Sequence, residues 1–302
     1  MTADSARKIH VSVLLDECMH YLDPQPGKTY VDGTLGLGGH TEAILDLSAP
    51  DGRVIAFDWD EKAIERAARR LEKYGKRLVI DRRNFADIST GLARMGVKDI
   101  DGLLLDVGLS SLQLDMGERG FSFQKEEYLD MRMDNRGETT AASIIARATE
   151  QQLADIFFYY GQERQARPIA AAIVAHRKKE KIETTGQLVS IVAGAVPKRF
   201  HPKKIHVATL VFQALRIAVN GELENLARIL DEGVEFLRPG ATFCVISFHS
   251  LEDGIVKRKF KSNKSLEILT QKPVVPSREE IANNPRARSA RLRVARKCYE
   301  KK

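Results

Sequence analysis

Asp32, Asp58 and Asp106 each close a short apolar run, YVD, RVIAFD and DGLLLD respectively. A carboxylate at the end of such a run can accept hydrogen bonds from the hydroxyl or amine groups of a ligand. The first of the three opens the segment Tyr30 to Thr41, YVDGTLGLGGHT, in which Gly33, Gly36, Gly38 and Gly39 fall within seven residues. Glycines so placed permit a tight turn and bring a ligand against bare backbone, where the first N–H groups of a following helix point at it. The spacing predicts a nucleotide-like cofactor at the opening of an α/β sheet.

Three cofactor classes compete for such a loop. A phosphate-cradling P-loop needs a lysine and a hydroxyl residue after its glycines, whereas Gly39 is followed by His40 and Thr41. The strict glycine order of the dinucleotide fingerprint is absent, as is a second mononucleotide-binding half. S-adenosylmethionine suits the same kind of sheet with no diphosphate to place. On that reading Asp58 holds the ribose hydroxyls, Phe85 faces the adenine ring and Asp106 lies towards the reacting end. Each assignment has a plainer counterpart: a strand-end Asp is often a turn or helix cap, and a Phe is usually core. Asp32 either organises the first loop from behind or only braces its turn.

His249, Glu252 and Asp253 form a second polar cluster. Three ligand types without a fourth make a weak metal signal. A capping network, in which Ser250 starts a helix and Asp253 stands third in it, explains the same residues, as does positioning of a substrate. No metal is expected. His206, at the end of a basic run, either approaches RNA or packs.

The chain has 302 residues, 43% of them hydrophobic, enough for one large domain or a core with an insertion. Successive strand and helix signals occur at Glu42 to Leu47 (helix), Arg53 to Asp58 (strand), Glu61 to Tyr74 (helix), Leu78 to Asp81 (strand), Ile88 to Met95 (helix) and Asp101 to Asp106 (strand). The alternation predicts a parallel sheet with right-handed crossovers. From Leu109 to about Arg216 helix signals such as Thr149 to Tyr159 and Pro168 to Arg177 dominate, predicting a helical insertion over 109–216 between core segments 1–108 and 217–302. A helix at Glu222 to Leu237, a turn at Arg238 to Gly240 and a strand at Ala241 to Phe248 resume the sheet. Leu266 to Thr270 and Leu292 to Ala295 are a candidate antiparallel pair, and Ser277 with Glu280 resembles a capping box.

The net charge of +7 is concentrated in two places. Leu251 to Lys302 holds 15 Lys or Arg against 6 Asp or Glu, and Arg164 to Lys204 holds 10 against 2. Two basic stretches on a nearly neutral body suggest a polyanion, nucleic acid first, with ordinary solvated helix faces as the plain alternative. Membrane-surface helices are the weaker reading, since aromatic residues do not accompany these runs. No stretch reaches the roughly 18 continuous apolar residues of a membrane span, and the polar start is not a signal peptide, so no membrane partner and a cytoplasmic location are expected. Three scattered cysteines argue against a disulfide framework.

Longer strings narrow the field: LLLDVGLSSLQLD (Leu103 to Asp115), RGFSF (Arg119 to Phe123), LDMRMD (Leu129 to Asp134), FQALRIAVNGELE (Phe212 to Glu224), ISFHSLED (Ile246 to Asp253) and NPRARSARLR (Asn284 to Arg293). With these, nearly the whole chain resembles the RsmH (MraW) family. The resemblance implies an α/β, Rossmann-like class I SAM-dependent methyltransferase sheet with an inserted all-helical domain. It also implies methylation of the N4 amine of a cytidine, expected to be cytidine 1402, in the decoding region of bacterial 16S ribosomal RNA. The expected partner is that 16S rRNA, within a small ribosomal subunit or late assembly intermediate.

Position by position, the resemblance puts Gly38, Gly39, His40, Asp58, Phe85, Asp106 and Gln113 at S-adenosylmethionine, with His40 meeting the cofactor through its side chain or its backbone. Asp106, Ser110 and Ser111 become the candidate catalytic and base-pocket residues; Arg216, Asn220, His249, Arg286, Arg288 and Arg291 become candidate RNA contacts. Val207 replaces a usual proline, and Leu210 and Gly254 each replace a usual arginine, which bears on RNA context more than on cofactor class. The alternatives are a methyltransferase for another RNA or a DNA amine, and a non-catalytic RNA-binding protein with the same fold.

Overall fold

A computed structural model describes residues 12–108 and 119–299. The chain divides into two compact units, Met1–Ser110 with Leu223–Lys302, and Ser111–Glu222.

The first unit is built on seven strands: β1 (Thr29–Asp32), β2 (Arg53–Asp58), β3 (Leu78–Arg82), β4 (Ile100–Val107), β5 (Leu237–Ser247), β6 (Leu266–Ile268) and β7 (Arg291–Lys297). Their order is β3-β2-β1-β4-β5-β7-β6. The strands from β3 to β5 pair in parallel, whereas β7 runs antiparallel to both β5 and β6. The mostly parallel sheet expected from the alternation is present, and the candidate antiparallel pair is β6 with β7. The sheet alternates with a two-residue period: Leu103 and Leu105 join one core layer with Val31, Phe57 and Phe243, while Leu104 joins the other with Tyr30, Val54 and Ile246. Helices α1 (Leu15–Leu22), α2 (Gly39–Leu47) and α3 (Glu61–Leu71) contribute buried residues to the second layer. Helix α4 (Ile88–Arg94) and the later helices Glu222–Phe236 and Ser250–Ser262 contribute to the first. Covering both faces explains why three consecutive leucines are tolerated in β4.

Two sequence expectations shift in this unit. The turn placed at Arg238 to Gly240 lies inside β5, where the pairing with β4 changes register between Ile100 and Gly102. Ser277 does cap its helix, accepting the Glu280 N–H at 3.0 Å. The Glu280 carboxylate does not close the box; its Oε1 instead accepts the Leu14 N–H at 2.8 Å, tying the C-terminal segment to the start of α1.

The second unit is helical. Ala141–Arg147, Glu150–Tyr159, Ala166–Arg177, Thr185–Ala195 and Thr209–Asn220 are α5 to α9. Thr140, Thr149 and Thr184 each cap a helix in a reciprocal box with Ser143, Gln152 and Gln187, which is why these helices start where they do. Helix α9 runs through the boundary expected after residue 216 and ends at Gly221, so the compact units separate after Glu222 instead. Ahead of α5, an irregular segment is pinned by Met131 N–H to the Arg119 carbonyl (2.7 Å) and Leu129 N–H to the Glu183 carbonyl (2.8 Å). Among the described residues no helix is long and apolar enough to cross a membrane.

Gly120 sits in this segment at φ 69°, and a Cβ there would lie 2.5 Å from the Tyr128 carbonyl oxygen. Backbone conformation and lack of room both exclude a side chain. Gly120→Ala is expected to destabilise the full-length protein by about 2 kcal/mol or more in urea unfolding followed by circular dichroism.

Candidate functional site

The carboxyl ends of β2, β1 and β4 lie side by side in the first unit, and they bring Asp58, Asp32 and Asp106 to one edge of the sheet. Each carboxylate has a different job. Asp32 is buried: Oδ1 accepts the Thr34 N–H at 3.0 Å and Oδ2 accepts the Thr41 hydroxyl at 2.7 Å. Burial pushes its pKa up, against the opposing influence of His40 and of the hydrogen bonds from Thr41 and Thr34. Thr34 then reaches the next strand, its hydroxyl oxygen accepting the Asp106 N–H at 2.6 Å. Asp32 therefore acts from behind the loop, tying it both to α2 and, through Thr34, to β4.

Asp58 shapes the glycine loop from the other side. Its Oδ2 accepts the Gly36 N–H at 2.8 Å and its Oδ1 the Asp60 N–H at 2.9 Å. Burial nevertheless pushes its pKa to about 6, because the backbone N–H groups of Asp60, Gly36 and Trp59 only partly offset the loss of water and the Asp60 charge adds to the rise. Each oxygen keeps a lone pair for a ligand hydroxyl. Phe85, half-buried, begins a single 3-10 turn behind Asn84, whose side chain accepts the Ala86 N–H at 2.9 Å.

Gly38 precedes α2 in a left-handed conformation, φ 82°, and no side chain caps that helix. Its first N–H groups are thus available to an anionic ligand group. A Cβ on Gly39 would meet the Ser12 hydroxyl oxygen at 2.0 Å, so the two glycines fix the closeness of this turn. His40, the next residue, is buried with Nε2 3.0 Å from the Val13 carbonyl oxygen. A carbonyl only accepts, so Nε2 carries the proton and Nδ1 faces Asp106 Oδ2 at 4.0 Å.

Asp106 is the least satisfied of the three. Its Oδ1 is buried with no hydrogen-bond partner among the described residues. Burial pushes its pKa to about 6; the His40 charge opposes the rise, and Asp32 and Glu252 add to it. A buried acceptor with no partner among the described residues is a candidate position for a ligand donor.

The second polar cluster resolves into capping. His249, rather than Ser250, caps the helix Ser250–Ser262, its Nδ1 accepting the Glu252 N–H at 3.4 Å while Glu252 Oε2 accepts the Phe248 and His249 N–H groups at 2.8 and 3.2 Å. His249 Nε2 stands 3.0 Å from Glu252 Oε1 yet is too poorly aligned for a hydrogen bond. Asp253 is released from the expected cap position and instead accepts from Arg293 Nε at 2.6 Å and from Arg291 Nη1 at 3.2 Å. Burial favours its neutral form, but the two guanidinium groups outweigh that and hold its pKa below the usual range.

Sequence-predicted residues thus separate. Gly38, Gly39, His40, Asp58 and Asp106 share one strand-end edge, and Phe85 follows the neighbouring strand β3. Arg291 lies on β7 opposite Ser247, and Arg286 and Arg288 are exposed on the 3-10 segment Pro285–Ser289. Arg216 and Asn220 belong to the helical unit, where Arg216 makes a two-bond pair with Glu222 (2.8 and 2.9 Å) and Asn220 holds the Met131 carbonyl and Met133 N–H, both at 2.8 Å. His206 packs, its ring 4.8 Å from that of Phe123. Ser110, Ser111 and Gln113 lie outside the described residues. Sequence reasoning missed Thr34, Thr41 and Arg293. The D-x-T pattern of Asp32 to Thr34 is an Asx-turn signal that could have found the first.

The raised pKa of Asp106 has a signed consequence. The folded protein holds the proton more tightly than the unfolded chain, so between the unfolded value near 4 and about 6 stability falls as pH rises, and above that the ionisation penalty is fully present. Asp106→Asn is expected to stabilise the protein at pH 7.5 by on the order of 2 kcal/mol, a gain that shrinks as pH falls through 6 towards 4. Urea unfolding of both proteins across that range checks the sign.

Comparison with known proteins gives the family. The MraW methylase family matches residues 7–298. A protein from Desulfotalea psychrophila named ribosomal RNA small subunit methyltransferase H is 66% identical over 292 residues, covering 97% of this chain and 99% of its own. A protein of the same name from Geotalea daltonii is 49% identical over 306 residues, covering 95% and 98% respectively. Another from Cyanothece sp. is 48% identical over 289 residues, covering 96% and 95%. The chain therefore belongs to the MraW methylase family and is an S-adenosylmethionine-dependent methyltransferase.

Proposed function

We propose that this methyltransferase modifies the N4 amine of a cytidine in 16S ribosomal RNA, at the position expected to be cytidine 1402. It acts in the cytoplasm, on RNA held in a small ribosomal subunit or late assembly intermediate. The RNA class is supported by nearly full-length similarity to relatives named ribosomal RNA small subunit methyltransferase H. The observation that carries the chemistry is the buried, unpartnered Oδ1 of Asp106.

The residues present fit S-adenosylmethionine: Asp58 for the ribose hydroxyls, the uncapped start of α2 at Gly38 to His40 for the amino-acid carboxylate, and Phe85 beside the adenine. When bound, the sulfonium supplies an electrophilic methyl group and a neutral thioether leaving group. The protein's remaining task is alignment. Cytosine N4 is a weak nucleophile because its lone pair is delocalised into the ring, and an acceptor for its N–H favours the rehybridised nitrogen. Asp106 Oδ1 can accept that N–H. The Asp106 carboxylate, with its pKa of about 6, would take the amine proton that methylation releases. Ser110 and Ser111 would line the base pocket and Gln113 would complete the cofactor site. Arg286, Arg288 and Arg291 would meet phosphates beside His249. Arg216 and Asn220 would contribute to RNA binding from the helical unit.

Asp106→Asn should lower kcat by about 100- to 1,000-fold at saturating cofactor and RNA. Transfer of labelled methyl to small subunits from a strain lacking the enzyme measures this; full turnover by the variant would rule out the assigned role. Nucleoside mass spectrometry distinguishes N4-methylcytidine from C5-methylcytidine. Arg286→Gln and Arg288→Gln should each reduce the logarithmic salt slope of RNA binding by about 0.7, read by titration at several salt concentrations.

A further inference from the structure

The helical unit contains a surface that the cofactor site does not use. From Thr184 to Gly221 the chain has no Asp or Glu. Lys198, Arg199, Lys203 and Lys204 in this stretch are exposed, and none forms an ion pair with a described residue. Other arginines of the same unit are engaged: Arg132 with Asp130, Arg136 with Asp134, Arg216 with Glu222. The expectation that aromatic residues do not accompany the basic runs also fails here. Phe200 stands among these cations with 49% of its surface exposed, and the Arg199 guanidinium carbon is 4.8 Å from its ring centroid.

The ring is exposed on a fixed support. Residues Lys198–Phe200 form a 3-10 turn in which the Phe200 N–H donates to the Pro197 carbonyl at 2.8 Å. His201 Nε2 donates to the Val196 carbonyl at 2.9 Å. On the far side His206 accepts the Ala208 N–H at 3.2 Å and packs on Phe123, which contacts Phe212 at 5.1 Å between ring centroids. An exposed aromatic face held rigidly among unpaired cations matches the requirements of single-stranded nucleic acid: a π surface for a base and positive charge for the adjoining phosphates. A membrane surface would need a longer apolar face than Phe200 and Ile205 offer. An acidic peptide would use the lysines and leave the ring idle.

We propose that Phe200, with Arg199 against its ring, is a stacking platform for an unpaired base of the RNA, flanked by phosphate contacts from Lys198, Lys203 and Lys204. This assignment rests on the RNA substrate proposed above. The contact carries affinity for unpaired RNA.

The test measures binding of the full-length protein to a labelled, short, mixed-sequence single-stranded oligoribonucleotide and to a blunt RNA duplex, with S-adenosylmethionine binding as the check on folding. Phe200→Leu should weaken single-strand binding by about 5- to 100-fold at unchanged salt slope and leave duplex binding intact, while Phe200→Tyr stays near wild type. Lys203→Gln and Lys204→Gln should instead each lower the salt slope by about 0.7. Single-strand affinity unchanged in Phe200→Leu, equal losses on single strand and duplex, or a loss seen only on phosphatidylserine vesicles or a polyglutamate peptide would overturn the platform. Wild-type methyl transfer to small-subunit RNA is read separately. Normal transfer with no effect of Phe200→Leu overturns the platform alone, and Phe200-dependent binding without transfer overturns the proposed substrate while supporting the platform.

Discussion

The buried carboxylate of Asp32 is the constraint on which the ligand-binding edge depends. Its two oxygens hold the Thr34 N–H and the Thr41 hydroxyl, and the Thr34 hydroxyl in turn holds the Asp106 N–H. One side chain thereby sets the glycine loop against helix α2 and against strand β4. Burying a charge is tolerable only when it is hydrogen-bonded, and Asp32 achieves this with groups that would themselves be unsatisfied without it. The loop geometry and the carboxylate are mutually required.

In front of that support, Asp58 and Asp106 both have pKa values pushed to about 6 by burial, which makes their ionised forms a cost to the fold at neutral pH. The sheet core offsets that cost. Fully buried side chains such as Phe57, Leu103 and Leu105 each contribute about 1.5 to 3 kcal/mol, and they lie directly beneath the strand ends that carry the acids. A polar atom left without a partner in an otherwise satisfied region is a local departure from optimal stability. Such departures are expected where a ligand completes the structure.

The sheet was legible because its signals were redundant: apolar runs of strand length, glycines at the first turn, and helices at the 3.6-residue period between them. Asp32, Asp58 and Asp106 were legible for a narrower reason, since they end those runs. What was hidden depended on direction rather than type. Ser250 and His249 are both plausible at a helix start, and only the backbone settles that the imidazole caps and Glu252 completes the box. Asp253 then points to β7, a pairing across forty residues of sequence that no local pattern carries. The boundary of the insertion, expected after residue 216, falls inside α9, which stops only where Gly221 takes a left-handed conformation.

The same distinction governs the basic residues. Composition counts Arg293 with the rest of the C-terminal positive charge, yet it is buried in β7 and held by Asp253, so its charge is internal to the fold. Arg291, its neighbour on the same face of the strand, shares that carboxylate while remaining half-exposed, and so can serve the fold and a phosphate together. Lys198, Arg199, Lys203 and Lys204 are exposed and meet no carboxylate among the described residues. Unpaired and paired cations contribute equally to net charge. Cations left unpaired, or exposed beside a shared carboxylate as Arg291 is, retain most of the electrostatic attraction that a polyanion can use, so the position of carboxylates matters more than the number of lysines.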